Sequence, residues 1–186
     1  MVDEQVRERV LEAADRLYYG RGVQSVGMDE LRLASRVSLK VLYSEFPSKA
    51  AIVLEVLDRR HALWDAGVSE RVERATTPRE KLLAIYDYLS DWFADDTFRG
   101  CGFINAFAEL GSISPDVAQR ARDHKAGFQA YVARLAAAAG ADASLAPQLS
   151  ILAEGAQTTA AIAGTGEAAI HARRAAGILI DAAMRS

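Results

Sequence analysis

Apolar residues along this chain recur at steps of three and four. Val6, Val10, Ala14 and Leu17 follow that rhythm, and so do Leu82, Tyr86, Leu89 and Phe93. No stretch of four to eight residues combines strict alternation with β-branched enrichment, so the pattern predicts an all-α chain. Punctuation divides it into nine expected helices, at about 4–20, 28–35, 38–45, 48–66, 78–95, 102–110, 115–139, 145–163 and 167–184. Thr77-Pro78-Arg79-Glu80 reads as a capping box with proline at the first helical position. Ser114-Pro115 repeats that logic, Ser48 follows Pro47 as a cap, and Ser144 opens a helix that carries Pro147 in its first turn. Stops are expected at Gly20-Arg21-Gly22, Gly100-Cys101-Gly102, Gly111, Gly140 and Gly164-Thr165-Gly166.

The two shortest helices are separated only by Arg36-Val37. Met28, Leu31 and Ala34 line one face of the first, and Val37 and Leu42 can join them in a small core with Val10 and Leu17. Two short helices on so tight a turn, braced by a third, follow the helix-turn-helix plan, whose second helix lies in the DNA major groove. On geometry alone a small helical hairpin inside a bundle is the competing reading. The expected division is a helix-turn-helix domain over 1–47 and a helical domain over 48–186.

Composition narrows the class. The 186 residues are 51% hydrophobic and 25% charged, the balance of a folded globular chain. Lys plus Arg number 22 against 25 Asp plus Glu, a net charge of -3 that excludes a generally basic nucleic-acid coat but not a local binding surface. Residues 21–49 carry five basic and three acidic side chains, so few phosphate contacts are expected. A single cysteine, Cys101, excludes an intrachain disulfide and a multi-cysteine metal site. The start has no apolar core of a signal peptide, and no uncharged apolar run approaches membrane-spanning length, so a cytoplasmic protein without membrane contact is expected. Catalysis finds little support. Asp58-Arg59-Arg60-His61 is an unpaired approximation to a di-iron helix motif, and no His-Glu-x-x-His, P-loop or Gly-x-Ser-x-Gly occurs. No cofactor, metal site or catalytic residue is expected.

Ten of the 14 aromatic residues fall between Trp64 and Tyr131, and none in the last 55 residues, which hold 20 alanines. Bulky residues in the middle suit a core around a cavity. Trp64, Tyr86, Leu89, Trp92, Phe93, Phe103, Phe107, Phe128 and Tyr131 are the apolar candidates for a small-molecule site, with Asn105, Glu109 and His124 as polar ones. A set of aromatics at helical spacing serves equally as plain core, and His124 between Asp123 and Lys125 suits a solvated surface. Cys101 opens a helix, where a reactive thiol or an inert buried one fits. Leu145, Leu149, Leu152, Ala156 and Ala160 form one terminal stripe, and Ile178, Leu179 and Ala182 belong to another. These are the expected dimer face, against an intramolecular bundle as the alternative.

Specific motifs carry a resemblance. Leu11-Glu12-Ala13-Ala14, Gly20-Arg21-Gly22-Val23, Met28-Asp29-Glu30-Leu31, Val37-Ser38, Leu42-Tyr43 and Phe46-Pro47-Ser48-Lys49 with Ile52 occur in that order. From Val10 to Leu57 the chain resembles the TetR (tetracycline-repressor) family of bacterial transcription regulators. Gly100-Cys101-Gly102-Phe103-Ile104-Asn105-Ala106 followed by Glu109 is similar to the sensor domain of many members. The resemblance implies a ligand-responsive regulator, a repressor that binds a palindromic double-stranded DNA operator as a homodimer and is released by a small, largely apolar effector. It makes the helical domain over 48–186 an effector-binding and dimerisation domain. It implies that Ser38 caps the recognition helix or contacts phosphate, that Leu39, Lys40, Val41 and Ser44 face the groove, and that Tyr43 and Lys49 touch the DNA backbone. Val37, Leu42 and Phe46 fall to the core.

Three departures qualify it. Arg36 stands where the family usually has a turn glycine, so it carries a left-handed cost of about 1 kcal/mol or takes another geometry, its side chain going to phosphate or to solvent. Val26 and Gly27 stand where hydroxyl residues often open the second helix, so a cap is missing. Leu39 and Val41 are apolar, fit to read thymine methyls, and Glu45 is acidic near the groove. These departures and the neutral head motivate an alternative: a family-like helical interaction protein with weakened or lost DNA binding.

Overall fold

Local side-chain chemistry starts most helices where the spacing requires. The Thr77 hydroxyl accepts from the Glu80 amide at 3.2 Å while the Glu80 carboxylate accepts from the Thr77 amide at 3.0 Å, completing the capping box. Ser48 accepts from the Ala51 amide at 3.1 Å and Ser114 from the Val117 amide at 3.4 Å. Ser144 departs from this: it is helical itself, with no side-chain cap bond, and its amide donates to Asp142 at 2.8 Å. In the computed structural model, residues 4–185 are described. Among them the elements are α1 (Glu4–Arg21), α2 (Met28–Ser35), α3 (Leu39–Glu45), α4 (Lys49–Glu73), α5 (Pro78–Phe93), α6 (Gly102–Leu110), α7 (Pro115–Ala138), α8 (Leu145–Ala163) and α9 (Glu167–Ala183). The described residues contain no strand, and the chain is all-α with the nine expected helices.

Helix α4 outruns its expected end by seven residues. Its last two turns are charge-rich (Ser69-Glu70-Arg71 and Glu73), which hid the four-residue apolar step from Trp64 to Val68 to Val72. All three of those side chains are buried. None of the helices among the described residues is long and apolar enough to cross a membrane.

The chain forms two compact units that interleave along the sequence, whereas the sequence expectation divides it once, at 47/48. The first holds residues up to Ala62 together with Gly102–Arg122. Val10, Leu31, Leu42, Phe46 and Ile52 are fully buried and form its centre. The second holds Leu63–Cys101 and Asp123 onward. There α5, α8 and α9 pack together around Tyr86, Leu89, Leu145, Leu149, Ala153, Ala176 and Ile180. The Tyr86 hydroxyl donates to the Leu149 carbonyl at 2.8 Å, and burial raises its pKa well above the usual phenol value. Arg79 grips both carboxylate oxygens of Asp181 at 2.6 and 3.0 Å, and Arg173 meets Asp87 at 2.5 Å, so ion pairs flank the α5–α9 seam.

Candidate nucleic-acid interface

The turn between α2 and α3 is closed by backbone bonds alone. The Arg36 amide donates to the Leu33 carbonyl at 3.2 Å and the Val37 amide to the Arg32 carbonyl at 3.0 Å. That pair of bonds needs a left-handed residue between helix and exit, and Arg36 supplies it at φ 57, ψ 42. It is the one left-handed non-glycine residue among those described. Of the two options open to Arg36, the strained one is realised.

Ser38 then opens α3 in an extended conformation, its hydroxyl accepting from the Val41 amide at 3.2 Å. The cap role is therefore filled. Helix α2, by contrast, starts at Gly27 without a side-chain cap, and Val26 is buried. The missing cap follows from Gly27 standing where a hydroxyl residue would open the helix.

With Leu42 and Phe46 fully buried against the head, α3 has one orientation to offer. Leu39 and Val41 are each 36% exposed and Tyr43 51% exposed, and Arg36, Lys40 and Ser44 are also exposed. The Ser44 hydroxyl donates to the Val41 carbonyl at 2.8 Å. Outward, then, α3 and its turn present two cations, an aromatic ring and short apolar side chains, a composition suited to phosphates and thymine methyls. Arg7 braces the far end, donating to the Glu45 carbonyl at 3.0 Å, lying 4.4 Å from the Phe46 ring centre and pairing with Glu55.

Lys49 is placed otherwise than the sequence suggests. Its ammonium donates to the carbonyls of Val23 and Val26, each at 2.6 Å, and sits 5.7 Å from the Tyr18 ring centre. Burial lowers its pKa, and the nearby Glu109 carboxylate opposes that shift. Glu109, expected among the polar groups of a ligand site, is also engaged. Its carboxylate accepts from the Val23 amide at 3.1 Å and the Gln24 amide at 2.8 Å, and the Gln24 side-chain amide donates to its carbonyl at 2.6 Å. Partners of this kind are backbone groups tens of residues away, which no spacing announces.

The expected ligand residues divide between the units. Trp64, Tyr86, Leu89, Trp92, Phe93, Phe128 and Tyr131 gather in the second. Trp64 is the hub, with edge contacts to Trp92 and Phe128, both at 5.5 Å, to Tyr88 at 5.4 Å and to His124 at 6.1 Å. Tyr88 and Phe98 belong to this cluster and escaped the sequence reading. His124 is buried there and not on a solvated face. Phe103, Asn105 and Phe107 lie in the first unit. Phe103 is buried with its ring 6.4 Å from His61, Asn105 lines a cavity of about 30 Å³ beside Tyr18 and Arg60, and Phe107 is half exposed. Cys101 is buried, with the Lys125 ammonium 3.7 Å from its sulfur.

The expected dimer stripe needs correction. Leu145, Leu149, Ala156 and Ala160 are buried in their own subunit's core, and Leu152 and Leu179 are half-buried. Helix α8 carries a second apolar face, and that one is exposed: Ile151 at 72% and Ile162 at 83%, with Gly155, Thr158 and Thr159 between them. On α9 the exposed face is Ile170, Arg174, Ile178 and Ala182 at four-residue steps. Two of the eight named residues, Ile178 and Ala182, therefore lie on an open surface.

Among the described residues a helix-turn-helix is followed by a larger set of helices, a plan that DNA-binding regulators use. Residues 10–56 match the family described as bacterial regulatory proteins, tetR family, and residues 78–183 match the tetracyclin repressor-like C-terminal domain. The chain belongs to the TetR family of transcriptional regulators, which are not enzymes. It is 33% identical over 91 residues to the transcriptional activator FasR of Mycolicibacterium smegmatis, covering 49% of this chain and 42% of FasR. It is 26% identical over 117 residues to the transcriptional repressor NemR of Escherichia coli, covering 62% of this chain and 59% of NemR. The chain thus spans about half the length of the curated relatives it matches. A TetR transcriptional regulator of Streptomyces avermitilis superposes with a TM-score of 0.84 at 29% identity, covering 96% of this chain and 97% of that one. A TetR-family regulator of Streptomyces coelicolor shares the fold with a TM-score of 0.85 at 24% identity, over 97% and 95% of the two chains.

Proposed function

We propose that the chain acts as a homodimer that places two α3 helices in successive major grooves of a palindromic operator, about 34–36 Å apart. The observation that carries this is α3 itself: capped by Ser38, anchored through Leu42 and Phe46, and open along Leu39, Lys40, Val41, Tyr43 and Ser44. Lys40 and Arg36 supply phosphate contacts, Tyr43 supports them, and Leu39 and Val41 read methyl groups. Lys49 serves the head from inside, because two of its three N–H donors are held by carbonyls of the chain. The partner copy meets the exposed faces of α8 and α9.

Control comes from a small, largely apolar effector taken up by the aromatic cluster around Trp64. Such a molecule changes DNA affinity only by its difference in affinity for the two arrangements of the dimer. The direction of control is repression. The similar proteins include one activator and one repressor, so the sign is decided by transcription from the target promoter with and without the protein. The DNA-binding reading is tested by footprinting on duplexes from the gene's own upstream region at low salt. A protected palindrome supports it, and no protected site at any salt removes it.

A further inference from the structure

We propose that Glu109 is a positioning residue for DNA reading: from α6 it holds the α1–α2 loop, and through that loop it sets the attitude of α2 and α3. The inference rests on the DNA-binding reading above and adds to it a residue outside the helix-turn-helix.

The loop from Gly22 to Gly27 is the sole covalent link by which α1 positions α2, and α2 has no side-chain cap of its own. The Ser25 hydroxyl donates to the Arg21 and Gly22 carbonyls and Arg21 pairs with Glu30 on α2, so charged partners from outside the loop add to bonds it already has. Two adjacent amides, Val23 and Gln24, point at one carboxylate, that of Glu109. Two carbonyls, Val23 and Val26, point at one ammonium, that of Lys49. The Gln24 side chain closes the arrangement on the Glu109 carbonyl. Hydrogen bonds to an ionised partner are roughly twice as strong as neutral ones, so the loop is pinned from both sides by full charges of opposite sign.

Gly22 shows how closely the carboxylate approaches. It is left-handed at φ 87, and a Cβ added there would lie 2.9 Å from a Glu109 oxygen. The turn favours glycine for its left-handed backbone, and the Glu109 carboxylate lies against the face where a Cβ would stand. Beyond Gln24, Met28 begins α2, α3 packs against α2, and Leu31 and Leu42 are both fully buried. A shift of the Glu109 carboxylate is a shift of the reading helix's mount. The head is completed by a residue far along the chain, in the same compact unit as α1 to α3.

The test uses the full chain and an operator duplex selected from a random library with the unsubstituted protein. Operator affinity of Glu109→Gln and Glu109→Ala is measured across salt concentrations, together with thermal unfolding and amide exchange at Val23 and Gln24. Expected are faster exchange at both amides, affinity weaker by roughly tenfold, and an unchanged salt slope, because the phosphate contacts themselves remain. Affinity equal to that of the parent, or a loss that tracks a fall in melting temperature and disappears on cooling, overturns the inference alone. A parent chain that selects no duplex overturns the DNA-binding reading and this inference with it.

Discussion

The Val37 amide reaches back to the Arg32 carbonyl at 3.0 Å, over a left-handed arginine at position 36. An L-residue with a Cβ is disfavoured in that conformation by about 1–2 kcal/mol, whereas glycine enters it freely. Arg36→Gly regains part of that strain and loses some through the extra freedom of glycine in the unfolded chain. A net gain of up to about 1 kcal/mol is expected, read as a higher midpoint in urea unfolding. The same substitution removes the phosphate contact proposed for Arg36, so operator affinity is expected to fall as stability rises.

Ser38 and Lys40 separate cap from contact. Ser38→Ala removes the acceptor for the Val41 amide and is expected to cost about 1 kcal/mol of stability. Lys40→Ala leaves the cap intact and removes one phosphate partner, so stability holds while the slope of log affinity against log salt becomes shallower by about one. Unfolding curves and salt titrations on the two variants check the separation. A Lys40→Ala protein with the parent's slope would remove Lys40 from the phosphate contacts.

These cases show what the sequence made legible. Ser38, Ser48, Thr77 and Ser114 cap because their chemistry acts three residues away, within the reach of spacing. The α2–α3 pair was legible for the same reason, since both helices and their turn are local. Lys49 and Glu109 were not, because their partners are main-chain groups brought together by packing over 23 to 86 residues of separation. Helix α8 misled for another reason. It has apolar residues on two faces, and the larger leucine-bearing one was assigned outward when burial of area favours it inward.

Two faces of α8 give opposite mutational signatures. Leu149 is fully buried beneath the Tyr86 hydroxyl's bond to its carbonyl, so Leu149→Ala opens a cavity and is expected to cost about 2–5 kcal/mol. Ile162 and Ile178 face outward, so Ile162→Glu with Ile178→Glu is expected to leave the subunit fold intact and to convert the proposed dimer to monomer. Sedimentation velocity and thermal unfolding, run on both proteins, distinguish the two. An Ile162→Glu, Ile178→Glu protein that remains dimeric at micromolar concentration would move the interface elsewhere.

The capping box that starts α5 makes a pH prediction whose sign follows from its hydrogen bonds. The Thr77 amide, then the hydroxyls of Thr76 and Thr77, stabilise the ionised Glu80 carboxylate and hold its pKa down at about 2, against an ordinary 4.5. The folded value lies below the unfolded one, so the carboxylate's contribution is fully present above pH 4.5 and is lost as pH falls toward 2. Glu80→Ala removes it at every pH. The stability gap between parent and variant is therefore expected to be constant above about pH 5 and to close steadily below that. Urea unfolding at a series of pH values measures the gap directly. A gap that stayed constant down to pH 2.5 would mean that the bonds from Thr76 and Thr77 do not favour the charged form.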